Sequence, residues 1–222
     1  DMVIRDRNHP SIIFWSVGNE IDYPNDPFSH PVLGGEYKPT QPPADDMVRH
    51  GRPLVEAVKK LDSTRPVTAA LANVAMSDAV GFADLFDVVG YNYQEQRYAE
   101  DHAKYPNRVI YGSENGKNYD AWRAVKENDF IAAQFLWVGF DFLGEAGGWP
   151  IRCSQAGLFD LCGFKKPIGW FRQALWAKEP MIYLAASPLS PGQTALRRNL
   201  ERGLQSHWNW SEGQTLRVIA YS

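Results

Sequence analysis

Trp15-Ser16-Val17-Gly18-Asn19-Glu20 closes an apolar run over residues 11–17 with a glycine and two polar residues. The run reads Ser-Ile-Ile-Phe-Trp-Ser-Val and is β-branched and aromatic, which predicts a buried strand ending near Gly18. Four more runs of this kind follow: residues 66–71, residues 86–93 (Phe-Asp-Val-Val-Gly-Tyr-Asn-Tyr), residues 108–112 (Arg-Val-Ile-Tyr-Gly) and residues 135–143 (Phe-Leu-Trp-Val-Gly-Phe-Asp-Phe-Leu). Helical patterns lie between or behind them, over residues 47–61 with a break expected around residues 51–53, over residues 119–133, and over residues 167–176 behind Pro167 at the first helical position. Strands that alternate with helices and read as nearly continuous apolar runs predict a parallel sheet covered on both faces. Polar residues gather at the C-terminal ends of the runs: Asn19 and Glu20, Asn92 and Tyr93, Glu114 and Asn115, Asp141. In a (β/α)8 barrel that end carries the active site. Five strands are too few to close such a barrel, and the chain opens at Asp1 in what reads as a helix end, so more barrel is expected upstream.

Beyond residue 181 the pattern changes. Residues 185–193 are rich in Ala, Ser, Pro and Gly and read as a linker, and residues 194–205 as a short helix or excursion. Residues 206–210 and 215–221 read as two strands around the turn Ser211-Glu212-Gly213, the beginning of an all-β domain.

Composition narrows the function classes. The chain has 222 residues, a net charge of −3, 44% apolar and 22% charged residues. That is ordinary for a folded domain, and it argues against a nucleic-acid binder held by a basic surface. The apolar runs fall far short of the roughly 20 residues of a membrane helix. Cys153 and Cys162 alone give no disulfide framework; nine residues apart and with no neighbouring His pair, they read as reduced buried thiols rather than metal ligands. No metal and no cofactor are expected. Eight Trp, ten Tyr and eleven Phe either fill a large core or line a site for flat apolar faces such as sugar rings.

Glu20 and Glu114 each end an apolar strand. On one parallel barrel both carboxylates would converge on the open face, which is the machinery of glycoside hydrolysis: one acid/base and one nucleophile. The alternative is a pair of unrelated N-caps or salt-bridged loops.

The residues from Arg7 to Glu20, Arg-Asn-His-Pro-Ser-Ile-Ile-Phe-Trp-Ser-Val-Gly-Asn-Glu, resemble the acid/base signature of glycoside hydrolase family 2, which includes β-galactosidases, β-glucuronidases and β-mannosidases. The stretch Ile110-Tyr111-Gly112-Ser113-Glu114-Asn115-Gly116 is similar to that family's nucleophile segment, residues 135–145 to its last barrel strand, and residues 157–167 to the segment behind it. Ser206-His207-Trp208-Asn209-Trp210 resembles the start of the sandwich domain behind the barrel. The resemblance implies an α/β fold: strands four to eight of a TIM barrel over residues 1–185, then a linker and the start of an immunoglobulin-like β-sandwich over residues 186–222. It implies Glu20 as general acid/base, Glu114 as nucleophile, Asn19 on the sugar 2-hydroxyl, and Tyr93, or else Tyr91, donating to the nucleophile. Trp137 would form a wall of the sugar subsite, or else barrel core; for Asp141 and Glu145 a salt bridge under the rim serves equally well.

Family glucuronidases grip the sugar carboxylate with an Asn-x-Lys pair, and here the stretch reads Cys162-Gly163-Phe164-Lys165-Lys166-Pro167, without the Asn. Lys165 and Lys166 are present, and Arg152 is another cation that could meet a sugar carboxylate. The resemblance implies a β-galactoside substrate, with glucuronides and mannosides as alternatives. The expected partners are this carbohydrate and the N-terminal domains of the same protein; a homo-oligomer stays open, and no nucleic acid or membrane is expected. A non-catalytic carbohydrate-binding relative is the rival from another class. An unrelated barrel lyase or aldolase would want a Schiff-base Lys or a metal cluster.

Overall fold

The structure, a computed structural model, describes residues 1–22, 44–189 and 203–222. They form two compact units, Asp1–Leu136 and Trp137–Ser222.

The first unit runs α1 (Met2–Asp6), β1 (Trp15–Asn19), α2 (Asp46–Leu61), β2 (Val67–Leu71), α3 (Val74–Ala79), β3 (Val88–Asn92), α4 (Tyr98–Lys104), β4 (Val109–Asn115), α5 (Tyr119–Lys126) and β5 (Ile131–Leu136). The five strands form one sheet in the order β1-β2-β3-β4-β5, every pair parallel. This is the expected run of consecutive parallel strands with helical crossovers. One face carries Ala69, Leu71, Val89, Tyr91 and Ile110 into a core with Met47, Met76, Phe82 and Tyr98 of the helical layer. Each fully buried aliphatic or aromatic side chain there contributes about 1.5 to 3 kcal/mol relative to exposure. The other face, which lines the interior in a barrel, carries Thr68 and Tyr111, whose hydroxyls lie 3.3 Å apart, and Phe14 and Phe135 against the Tyr111 ring.

Helix α2 is unbroken although Pro53 lies inside it. Its apolar face, with Met47, Gly51 and Val58 buried, holds it against the sheet, and a Cβ on Gly51 would meet Phe82 at 2.5 Å. Tertiary packing therefore outweighs the local cost of the proline, whose ring faces solvent. At the end of α2, Asp62 accepts from the Trp15 indole at 3.0 Å and the Thr64 hydroxyl at 2.6 Å and pairs with Arg65 at 2.6 Å. These donors hold its carboxyl well below the usual carboxylate range and fasten the start of β1 to the sheet.

The fifth strand starts earlier than the apolar run at 135–143 suggests. Strand β5 occupies Ile131–Leu136, and α5 stops at Lys126 rather than near residue 133. Asn128 donates its side-chain amide to the Ala124 carbonyl at 2.7 Å and its own carbonyl accepts from Ile131, which turns the chain out of the helix. Ile131-Ala132-Ala133 fits a helical period as well as a strand, so periodicity alone misassigns it.

The second unit contains β6 (Phe142–Leu143), β7 (Cys153–Ser154), α6 (Pro167–Trp176), β8 (Tyr183–Pro188) and β9 (Leu216–Tyr221). Strands β6 and β7 pair antiparallel, as do β8 and β9. Helix α6 has the expected bounds, with Pro167 in its first turn. Two expectations are corrected. The start of the supposed linker, residues 185–188, belongs to strand β8: Ala185, Ala186 and Ser187 are buried, and the strand pairs with β9 in a register from Tyr183↔Tyr221 to Pro188↔Leu216. Residues 206–210 form no strand; only the bridge Ala186↔Gln205 precedes them. Of the excursion expected over residues 194–205, residues 194–202 lie outside the described residues. The two cysteines are free, Cys153 half-buried and Cys162 exposed, so neither is the buried thiol expected.

Candidate active site

A strand turns successive side chains to opposite faces, so a residue can be re-aimed only by breaking that alternation. The sheet does so at three strand ends. Between β1 and β2 the register runs Ser16↔Thr68 and then Asn19↔Ala70, three steps against two. Between β3 and β4 it runs Tyr91↔Gly112 and then Asn92↔Glu114, one step against two. Between β4 and β5 it shifts again, before and after Gly112. Each shift inserts one residue, as a bulge does, and turns the residues beyond it. Ile110, Gly112 and Asn115 consequently face the helical layer, Asn115 accepting from the Tyr98 hydroxyl at 2.8 Å and donating to the Ala121 carbonyl at 3.1 Å. Ser113 and Glu114 lie between them, and Ser113 points to the side of Asn92, donating to its Oδ1 at 2.6 Å.

Gly112 is required for this turn. A Cβ there would fall inside the Asn115 amide and come within 2.8 Å of the Tyr98 hydroxyl, and Asn115 is fully buried. Gly112→Ala is expected to destabilise the fold by about 3 kcal/mol, the upper end of overpacking costs. Thermal unfolding of the variant checks it; an unchanged midpoint would mean that the Asn115 side chain moves freely.

The strand ends bring four of the predicted residues into one cluster. Asn92 Nδ2 donates to Asn19 Oδ1 at 3.0 Å and to Glu20 Oε1 at 3.1 Å. The Tyr93 hydroxyl and the Asn92 and Asn19 side chains lie around the Glu114 carboxylate and favour its charged form. Glu20 and Tyr93 both have positive φ, 51° and 54°, uncommon for residues with a Cβ and costing of order 1 kcal/mol each. Backbone bonds hold both there: Glu20 N–H to the Ala70 carbonyl and Tyr93 N–H to the Glu114 carbonyl, each 2.8 Å. Strain kept at two ends of one sheet is a mark of a functional site.

Burial raises the Glu114 pKa above its ordinary value, the charge of Glu20 adds to this, and the hydrogen bonds from Tyr93, Asn92 and Asn19 oppose it. Burial and the adjacent Glu114 carboxylate push the Tyr93 hydroxyl well above the ordinary tyrosine range, so it stays a proton-bearing donor. Tyr91 is placed elsewhere: it is fully buried on the helical side and donates to Asp101 at 2.9 Å.

The loops behind these residues are stitched together by side chains that sequence reasoning did not single out. Asp22, fully buried, accepts from the Ala72 and Asn73 amides and the Ser77 hydroxyl. Gln94 donates to the Ala72 carbonyl at 2.7 Å, and Glu95 accepts from the Gly116 amide at 2.5 Å. Their one signal in the sequence is a polar residue just past an apolar run.

In the second unit Trp137 is half-buried, its ring edge-on to Phe142 at 5.6 Å. Asp141 accepts from Lys166 Nζ and the Gly157 amide, each at 2.8 Å, which is the salt bridge weighed for it; Glu145 is exposed. No group of three or more His, Cys, Asp or Glu side chains suited to a metal ion occurs among the described residues, and no helix there is long and apolar enough to cross a membrane.

Residues 1–117, which include the ends of β1, β3 and β4, match the family described as glycosyl hydrolases family 2, TIM barrel domain. The chain belongs to this family. Beta-galactosidase BoGH2A of Bacteroides ovatus is 27% identical over an alignment that covers 100% of the chain and 31% of that protein. A beta-glucuronidase of Bacteroides fragilis is 26% identical, with 83% and 30% covered. A crystal structure of a glycosyl hydrolase family 2 member from Bacteroides cellulosilyticus superimposes with a TM-score of 0.76 at 32% identity, covering 99% of the chain and 27% of that structure. The five-stranded parallel sheet is thus part of a family 2 TIM barrel, and the chain spans about a third of the length of the relatives it matches.

Proposed function

We propose that this chain carries the catalytic carboxylates of a retaining glycosidase acting on terminal β-galactosides. One observation carries the reading: Glu20 and Glu114, from the ends of strands three places apart in the sheet, both meet the Asn92 amide, which donates to Glu20 and favours the charged form of Glu114. Glu20 protonates the leaving oxygen and then activates water; Glu114 attacks the anomeric carbon and forms the glycosyl-enzyme. Retention calls for carboxyl groups about 5 to 5.5 Å apart. Asn19 holds the sugar 2-hydroxyl, and Tyr93 donates to Glu114 and releases its carboxylate as the intermediate breaks down. By the family resemblance Trp137 would line a sugar subsite. Residues 1–185 are read as the C-terminal part of the barrel and residues 186–222 as a linker and the start of a β-sandwich; further domains of the same protein complete the enzyme.

A uronic acid needs a cation free to meet its carboxylate. Lys166 is held by Asp141 and the Gln155 carbonyl, and Lys165 by Gln173 with its ammonium over the Trp170 ring. Both lysines are engaged, which favours a neutral sugar, and the B. ovatus relative is named a β-galactosidase. Assay of the enzyme with a complete barrel on aryl β-galactoside, β-glucuronide and β-mannoside, with NMR of the first-formed sugar, tests this. Preference for the galactoside and a β-anomeric product are expected. A first-formed α-anomer would exclude retention, and preference for the glucuronide would overturn the substrate.

A further inference from the structure

Asn92 has a place in the cluster that the roles above leave unused. It is 3% exposed, ends β3 opposite Glu114, and touches the candidate acid/base, the residue beside it and the candidate nucleophile. Resting on the proposed reading of Glu20 as acid/base, we infer that Asn92, oriented by Ser113, is the positioning residue that aims the Glu20 carboxyl at the glycosidic oxygen.

An amide has a donor end and an acceptor end, and only one orientation serves here. The Ser113 hydroxyl donates to Asn92 Oδ1 at 2.6 Å, which turns Nδ2 toward Glu20 Oε1 and Asn19 Oδ1. The flipped amide would set Oδ1 against a carboxylate oxygen and lose the bonds to Glu20 and Asn19, keeping only the contact with Ser113, whose hydroxyl can accept as well as donate. Ser113 is itself fixed: it packs on Gly90, where a Cβ would come within 2.6 Å of its Oγ. The chain of contacts Gly90, Ser113, Asn92, Glu20 therefore runs from a rigid inner strand to a side chain on an edge strand of the sheet. Glu20 comes after a register shift and has positive φ, so its backbone alone leaves its head poorly determined; the Asn92 amide supplies the second anchor. Glu20 Oε1 accepts that bond, which leaves Oε2 to carry the proton to the leaving group.

A misaimed acid fails selectively. A leaving group that departs as a stable anion needs little protonation, whereas a sugar or alkyl leaving group needs all of it. The test is kcat/KM, which reports the first bond cleavage, on β-galactosides with leaving groups of graded pKa, in the enzyme with a complete barrel. Asn92→Ala is expected to lose about 10- to 100-fold more on the poorest leaving group than on dinitrophenolate. Ser113→Ala, which keeps the Asn92 side chain and frees its flip, is expected to lose about 5-fold more. In a Glu20→Ala background Asn92→Ala should add only the part of the loss common to all leaving groups, since Asn92 also touches Glu114. Equal losses on all leaving groups, or a full additive loss in the double variant, would show a structural role and overturn the inference. Should Asn92→Ala not fold, Ser113→Ala decides alone, and an unchanged leaving-group dependence overturns it. Glu20→Ala is the control on the reading beneath: if it shows no selective loss, the acid/base assignment itself falls, whereas a selective Glu20→Ala with non-selective Asn92→Ala rejects only the positioning role.

Discussion

Glu114→Ala is expected to lower kcat by about 10⁴-fold or more, and by a similar factor on activated and unactivated β-galactosides alike, as loss of a nucleophile does elsewhere. The uniformity comes from the role. Without the carboxylate no glycosyl-enzyme forms, and no improvement of the leaving group restores the missing bond. The wild-type enzyme gives an independent check. Burial and the Glu20 charge raise the Glu114 pKa, so the carboxylate ionises only above its ordinary value. The nucleophile must be ionised to attack, so the acidic limb of kcat/KM against pH should lie above the ordinary glutamate value of 4.5 and should vanish with the activity in Glu114→Ala. Steady-state rates on dinitrophenyl and alkyl galactosides across pH measure both. A Glu114→Ala enzyme that keeps a tenth of wild-type activity on either substrate would remove Glu114 from the chemistry.

How far the site could be read in the sequence divides cleanly at the strand ends. The parallel sheet was legible because runs such as Val-Val-Gly-Tyr-Asn at Val88–Asn92 have no polar face at all, and only a strand covered on both sides tolerates that. The placing of Glu20 and Glu114 at strand ends was legible because each follows directly on an apolar run. The register shifts that put Asn19, Asn92 and Glu114 on one side were not legible, since an inserted residue costs no change of residue type and leaves only glycines nearby as a trace. Asn92 was visible as a polar strand end, but its partner Ser113, just past the run at residues 108–112, was not singled out, because a hydrogen bond between residues 21 apart leaves no local pattern. The choice between Tyr93 and Tyr91 was likewise open in the sequence. One lies at positive φ with its hydroxyl perturbed by the Glu114 carboxylate, the other donates to Asp101 among the helices, and only three-dimensional packing separates them. The misplaced fifth strand has the opposite origin: its apolar run continues into Trp137–Leu143, which belongs to the second compact unit, so the composition had no edge where the fold does.

Glu20→Ala separates the two carboxylates by their products. The variant keeps its nucleophile, so an activated aryl galactoside should still be attacked by Glu114, with the aryl oxide leaving unprotonated, while an alkyl or sugar galactoside should react about 10³-fold or more slowly. The glycosyl-enzyme then lacks the base that activates water and should accumulate, visible as a burst of aryl oxide followed by a slow phase. Azide needs no base. It should attack the anomeric carbon of the intermediate, form the C–N bond as the bond to the Glu114 carboxylate breaks, and enter from the face the aryl oxide left, giving the β-galactosyl azide and a restored rate. In Glu114→Ala the same anion would occupy the empty nucleophile position and displace the aglycone directly, giving the α-azide. The anomer found by NMR in each variant assigns the roles without reference to any coordinates. An α-azide from Glu20→Ala, or undiminished cleavage of a natural disaccharide by that variant, would show that Glu20 is not the acid/base.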